Sequence, residues 1–219
     1  MSQYQKKNFS NKYDMNSLIT KYISDNIFDS RTNKELEVKF STKNPKDITR
    51  MDYDNTIQKL LSIGFKSDNI NGDYMMRINN EFITQEGDEV ISNIRTELNG
   101  FNVVQDYCKY ENISKLMEIY KNDVAYINFI QKQKAKDEDG NIFPVDVKDF
   151  GFRVSYQLET QVSGNLVNKI IDDWTQTKKT FRYINRIRLY HEDFPLFVDI
   201  SIVKSGEKSY KFPFNMVPH

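Results

Sequence analysis

The sequence predicts an α+β protein built around an antiparallel β-barrel or tunnel with a few flanking helices. Three observations carry that prediction. Several segments alternate polar and apolar residues with period two, which is the signature of half-buried strands. Aromatic content is high, at 13% with 15 Phe and 13 Tyr, and aromatic side chains suit strands. A few segments instead place apolar residues at helical spacing, and the strand candidates fall between them.

The elements follow in order. Residues 1–14 are polar and read as a frayed tail. Met15 to Phe28 sets Leu18, Ile19, Tyr22, Ile23 and Ile27 at helical spacing, so residues 1–30 read as a tail and helix preceding a domain over 31–219. Glu35 to Phe40 alternates strictly, with Glu35, Glu37 and Lys39 on one face and Leu36, Val38 and Phe40 on the other. Asp47 or Thr49 can cap a helix that runs to about Ile63, with Ile57, Leu60 and Leu61 as its buried stripe and Gly64 as its stop.

Further strands are predicted over Asp73–Ile78, Glu89–Leu98, Val124–Lys134 and Phe150–Thr160. Lys136 to Asn141 is a charged turn. Gly164 precedes a helix over Asn165–Trp174 with Leu166, Val167, Ile170, Ile171 and Trp174 as its stripe. Lys179–Tyr190 and Leu196–Lys204 are the last two strands. Repeats and low-complexity linkers are absent from the sequence.

Composition narrows the function. Charged residues make up 28% of the chain and balance to a net charge of zero, so this is not a basic nucleic-acid coat. One cysteine, Cys108, excludes an internal disulfide framework and fits a reducing compartment. No apolar run approaches the ~18 residues of a membrane span, and the first residues lack the apolar segment of a signal peptide. A soluble, intracellular protein without a membrane partner is expected. Phosphate loops of the G-x-x-x-x-G-K and G-x-G-x-x-G types are missing.

The chemistry lies in how charge is sorted among strands. The first strand offers two carboxylates and a lysine. Later strands offer cations: Arg95, then Lys132 and Lys134, then Arg153, then Arg182, Arg186 and Arg188. Barrel interiors alternate with exteriors along each strand, so a barrel with these faces inward sets carboxylates opposite cations. Carboxylates alone repel a triphosphate, but carboxylates that hold a divalent metal reverse the local sign. Mg²⁺ or Mn²⁺ takes one or two carboxylates plus substrate phosphates, and arginines clamp phosphate oxygens bidentately. Glu35 and Glu37 are the expected metal ligands and catalytic carboxylates. Glu159, which shares a face with Arg153, Ser155 and Gln157, is a further candidate to orient water. Lys39, Arg95, Lys132, Lys134, Arg153, Arg182, Arg186 and Arg188 are the expected phosphate contacts. Asp199 shares its strand face with Ser201, Phe197 and Val203, a mixed environment.

These residues resemble a known family. Glu35-Leu36-Glu37-Val38-Lys39 is similar to the E-x-E-x-K strand of the triphosphate tunnel metalloenzymes, and in particular of the RNA 5′-triphosphatase domain of mRNA capping enzymes from large DNA viruses. Phe181 to Arg188 resembles the family's strand rich in arginine and lysine, and Val198 to Lys204 the strand after it. Asn93 to Thr96 and Lys132 to Lys134 are similar to weaker segments. The resemblance spans roughly residues 33–205.

It implies a metal-dependent polynucleotide 5′-triphosphatase, using Mg²⁺ or Mn²⁺, that removes the γ-phosphate of nascent mRNA during cap formation. It also implies guanylyltransferase and methyltransferase domains, covalently linked or associated, and a place in the host cytoplasm, viral factory or virion. A tunnel phosphohydrolase acting on tripolyphosphate or nucleotides, and a non-catalytic binding module of a viral transcription complex, are the alternatives.

The sequence departs from the family at Ile184, where viral relatives tend to carry lysine, and at Phe197, where an arginine commonly precedes the aspartate. The family's final strand of alternating glutamates is not found after Lys204, so the expectation is a domain cut before that strand and possessing only part of the metal site. Lys136-Asp137-Glu138-Asp139-Gly140 differs by one residue from the K-x-D-G spacing of guanylyltransferases and reads as a solvated loop. Cys108 reads as an inert thiol, His191 as a loop residue, Trp174 as core, and His219 lacks metal-ligand spacing.

Overall fold

The computed structural model describes residues 12–28, 33–40, 48–84 and 86–207. The first eleven residues, the predicted boundary near residue 30, Asp47 as a cap, and Lys211 to His219 lie outside the described residues. The elements in chain order are α1 (Met15–Phe28), β1 (Lys34–Phe40), α2 (Arg50–Ser62), β2 (Asp73–Ile83), β3 (Glu89–Asn99), α3 (Phe101–Tyr110), α4 (Ile113–Ile119), β4 (Ile127–Lys134), β5 (Lys136–Asp137), β6 (Gly140–Asn141), β7 (Val145–Val147), β8 (Phe152–Gln161), α5 (Asn165–Asp172), β9 (Lys178–Tyr190) and β10 (Phe197–Gly206). The predicted class holds: helices flank strands that pair antiparallel throughout.

The chain divides into two compact units, the first of residues 1–47 and 132–160, the second of residues 48–131 and 161–219. In the first unit, β1 pairs with β8, and β7 pairs with the other edge of β8's first residues. The apolar face of this ladder is covered by α1. Leu18 is fully buried there with Ala135, Ile142, Val154 and Tyr156. Tyr22 meets Tyr156 edge-on at 5.4 Å, and the Tyr156 hydroxyl donates to Asp25 Oδ2 at 2.9 Å. Leu36 joins this cluster, but Val38 and Phe40 on the same face of β1 are exposed. Asp137 in the charged turn is not merely solvated. It accepts from Tyr13 Oη at 2.7 Å and lies 2.9 Å from Lys12 Nζ, which together hold its pKa down at about 2.

In the second unit the ladder runs β4–β3–β2–β9–β10. One face packs Met76, Ile78, Leu98, Phe129, Phe181 and Tyr183 against α3, α4 and α5. Trp174 is buried just past α5 and its indole N–H donates to Tyr107 Oη at 3.2 Å. Helix α2 covers Ile187 and Leu189 through Ile57, Leu60 and Leu61. Thr49 caps it through a reciprocal capping box with Asp52. Gly64 follows at φ 101°, and a Cβ there would stand 2.8 Å from His191 Nε2, so glycine serves both the left-handed stop and the close approach.

Two helices, α3 and α4, occupy residues where alternation predicts nothing. The predicted last helix is shorter, ending at Asp172, while β2 runs on to Ile83 across a register shift between Asn79 and Glu81.

Candidate functional site

In the first unit the ladder register pairs Glu35 with Gln157, Glu37 with Ser155 and Lys39 with Arg153. Directly opposed residues of an antiparallel pair share a face. The Glu159 N–H donates to the Asn33 carbonyl at 2.9 Å, which extends the same register and puts Glu159 on that face. The ammonium of Lys132 is the centre of the group. Its Nζ lies 2.8 Å from Glu159 Oε1, 3.1 Å from Glu35 Oε2 and 3.7 Å from Glu37 Oε2. Burial disfavours the charged lysine, but the bond to Glu159 and the charges of Glu35 and Glu37 outweigh it and raise its pKa above the ordinary lysine value. Lys39 Nζ lies 2.9 Å from Glu37 Oε2 and is more exposed.

Two acceptor atoms on this face, Glu37 Oε2 and Gln157 Oε1, are buried yet make no hydrogen bond of good geometry. Buried acceptors normally find a partner.

Arg153 shares the face but is clamped by Asp146, which accepts from Nε at 2.6 Å and from Nη2 at 2.9 Å. Asp146 sits opposite Arg153 in the register of β7. Lys134 is exposed and holds its ammonium 4.3 Å from the centre of the Phe143 ring.

In the second unit the register aligns Arg77 with both Glu97 and Arg182, Asn79 with Arg95, Asp73 with Arg186, Arg186 with Ser201, and Arg188 with Asp199. All therefore share the face opposite the helices. Glu97 Oε1 is held between two guanidiniums, 2.7 Å from Arg95 Nε and 2.8 Å from Arg77 Nε. Arg95, expected to meet phosphate, is thus buried and paired. Arg188 grips Asp199 with two bonds of 2.7 Å, and Arg186 Nη1 lies 3.2 Å from the same carboxylate. Burial pushes Asp199 up, but Arg188, Arg186 and Arg77 together hold it below the usual carboxylate range. Arg182 is exposed and has no carboxylate partner among the described residues. Ile184 sits buried on this face between Arg182 and Arg186. Guanidiniums outnumber carboxylates here, so the face is cationic.

The structure therefore gathers Glu35, Glu37, Lys39, Lys132 and Glu159 into one charged group, and Arg95, Arg182, Arg186 and Arg188 into another. Sequence reasoning missed Arg77, Glu97 and Asp146. The phase of Arg77 in β2 matches Asp73 and Asn79, a signal that Met75 obscures. Cys108 is inert: burial pushes its thiol up to about 11. His191 lies in a loop between Phe65 and Phe194, with ring centroids 5.1 and 4.7 Å away.

A hard divalent cation takes oxygen ligands, commonly one or two carboxylates with phosphate and water completing the shell. Glu35 and Glu37 offer that chemistry, and both carboxylates already lie beside ammonium groups, Glu37 Oε2 2.9 Å from Lys39 Nζ and Glu35 Oε2 3.1 Å from Lys132 Nζ. Among the described residues no three His, Cys, Asp or Glu side chains make a metal site by themselves, so a metal on this face would rest on two carboxylates.

The fold is that of an antiparallel α+β domain of the triphosphate-tunnel type. The particular likenesses are to mimivirus proteins. A solved structure of the RNA triphosphatase domain of a trifunctional mimivirus mRNA capping enzyme superposes with a TM-score of 0.57 at 14% identity, covering 92% of this chain and 84% of that one. A triclinic structure of the mimivirus capping enzyme triphosphatase gives 0.57 at 14% identity, covering 92% and 82%. A monoclinic structure of it gives 0.52 at 14% identity, covering 91% and 83%. At that identity the likeness is one of fold. No protein-family model matches the sequence, and no curated protein matches it.

Proposed function

We propose that this protein is a metal-dependent RNA 5′-triphosphatase that removes the γ-phosphate from nascent mRNA as the first step of cap formation. The observation that carries the reading is the Glu35–Glu37 carboxylate pair on the polar face of β1, within a fold shared with a capping-enzyme triphosphatase domain. Glu35 and Glu37 would hold Mg²⁺ or Mn²⁺. When bound, the metal polarises the γ-phosphoryl group and neutralises charge as the leaving diphosphate departs. Lys132 and Lys39 supply ammonium donors beside those carboxylates. Glu159, paired with Lys132, would orient water or accept its proton. Arg182, Arg186 and Arg188 offer guanidiniums to phosphate oxygens.

By the same reading, guanylyltransferase and methyltransferase domains are linked to the protein or associate with it. Its site of action is then the host cytoplasm, viral factory or virion.

A second reading has one observation in its favour. Glu35, Glu37 and Glu159 already share the Lys132 ammonium, and Arg95 is already paired with Glu97. A module that binds triphosphate ends without cleaving them fits such internally paired charges. Release of phosphate from triphosphate-ended RNA and from tripolyphosphate, with and without Mg²⁺ or Mn²⁺, separates the readings. Metal-dependent release from RNA supports the enzyme. Binding without release supports the module. Faster release from tripolyphosphate than from RNA contradicts the RNA assignment.

A further inference from the structure

Phe197 is the feature that the arginine face leaves unexplained. It stands at the start of β10, where the register pairs it with Tyr190, Asp199 with Arg188, Ser201 with Arg186 and Ser205 with Arg182. Its side chain therefore belongs to the same row as the arginines. Phe197 as a residue is 66% exposed, an unusual setting for phenylalanine beside charged neighbours. It is also propped. The Arg188 guanidinium lies 5.2 Å from the ring centroid, and Arg188 is itself fixed by two bonds to Asp199. Next to it the loop between β9 and β10 forms an open cavity of about 530 Å³ lined by His191, Phe194, Pro195 and Leu196.

Residues on one face of a strand recur every ~7 Å. The ring is thus one step along the ladder from the Arg188–Asp199 pair and two from Arg186. A flat aromatic surface continuous with a row of guanidiniums is the combination that takes a base and its phosphates together. Aromatic rings stack any base, while cations follow the phosphates. A bare polyphosphate has nothing to place on the ring.

We propose that Phe197 is a stacking platform for the base of the terminal nucleotide, so that the arginine face takes the 5′-triphosphorylated end of a nucleic acid in preference to inorganic polyphosphate. This rests on the reading of the arginine face as a phosphate-binding surface and narrows its substrate class.

The test uses the full chain, with an oligoribonucleotide carrying a 5′-triphosphate and 2-aminopurine as its first base, and inorganic tripolyphosphate as a second probe. Binding of the RNA to the wild-type protein quenches the 2-aminopurine through stacking. Phe197→Leu weakens RNA binding by about 5- to 150-fold and removes the quench, while tripolyphosphate affinity stays within about twofold. Phe197→Trp keeps both the affinity and the quench. Equal weakening for both probes, or no change for either, overturns the stacking role; the latter is the result expected if a partner protein covers the ring instead. If the wild-type protein binds neither probe, the phosphate-binding reading itself fails, and the stacking role fails with it.

Discussion

Replacing Lys132 with methionine tests how the carboxylate group is held together. The substitution keeps much of the side chain's length and removes only the ammonium, leaving Glu35, Glu37 and Glu159 without the cation that lies 2.8 to 3.7 Å from each. The four side chains are 25% to 45% exposed, so the loss falls between that of a surface pair, ~0.2–1 kcal/mol, and that of a broken buried pair, ~3–5 kcal/mol. Water reaches Glu35 most, which favours the low side. The expected cost is about 1–2 kcal/mol, or about 2–8 °C in Tm for a chain of this size.

Thermal unfolding followed by circular dichroism measures it. At high salt the deficit shrinks, because the remaining repulsion between carboxylates is screened. Millimolar Mg²⁺ or Mn²⁺ should restore Tm in the variant more than it raises Tm in the wild type, since a cation that binds only the folded state stabilises it. A Tm within about 1 °C of wild type would show that Lys132 does not hold the carboxylates. Failure of either metal to raise Tm in both proteins would refute the assignment of Glu35 and Glu37 as metal ligands.

Further predictions concern the second unit. Arg95→Met should cost about 1–3 kcal/mol in urea unfolding, because it leaves Glu97 half-paired in a buried setting; an unchanged midpoint with lost activity would instead make Arg95 a direct phosphate contact. Asp199 has a lowered folded pKa, so its contribution is present above the ordinary aspartate pKa of ~3.9 and is lost as pH falls through the lower folded value. The stability gap between wild type and Asp199→Asn should therefore be open at pH ~6 and close in strong acid, and a gap that stays constant would contradict the Arg188–Asp199 pairing. Arg186→Ala should impair turnover of triphosphate-ended RNA far more than Lys169→Ala on the exposed surface of α5. Equal effects would mean that the arginine face does not meet substrate.

What could be read from the residues, and what could not, follows from the range of the interactions. The face shared by Glu35, Glu37 and Lys39 is fixed by the period of a strand, and so is the common parity of Arg182, Arg186 and Arg188. Both are local properties, and the register bears both out. The helix over Phe101–Tyr110 was hidden because Phe, Val and Tyr favour strands by propensity. Packing of Val103, Val104 and Tyr107 into the core overrides that preference.

Pairing across the sheet was equally illegible. Nothing in the order of residues says that Glu97 is shared by Arg77 and Arg95, or that Lys132, distant in sequence from Glu35, completes its group. Asp146 was missed because β7 has only three residues, too few to display alternation.

The central claim is that the carboxylate face of β1 serves triphosphate hydrolysis. The most direct measurement is release of γ-phosphate from triphosphate-ended RNA in Mg²⁺ or Mn²⁺, comparing the wild type with Glu37→Gln. The account predicts metal-dependent release by the wild type and its loss in the variant, with the circular dichroism spectrum unchanged. Equal release by both proteins would contradict it.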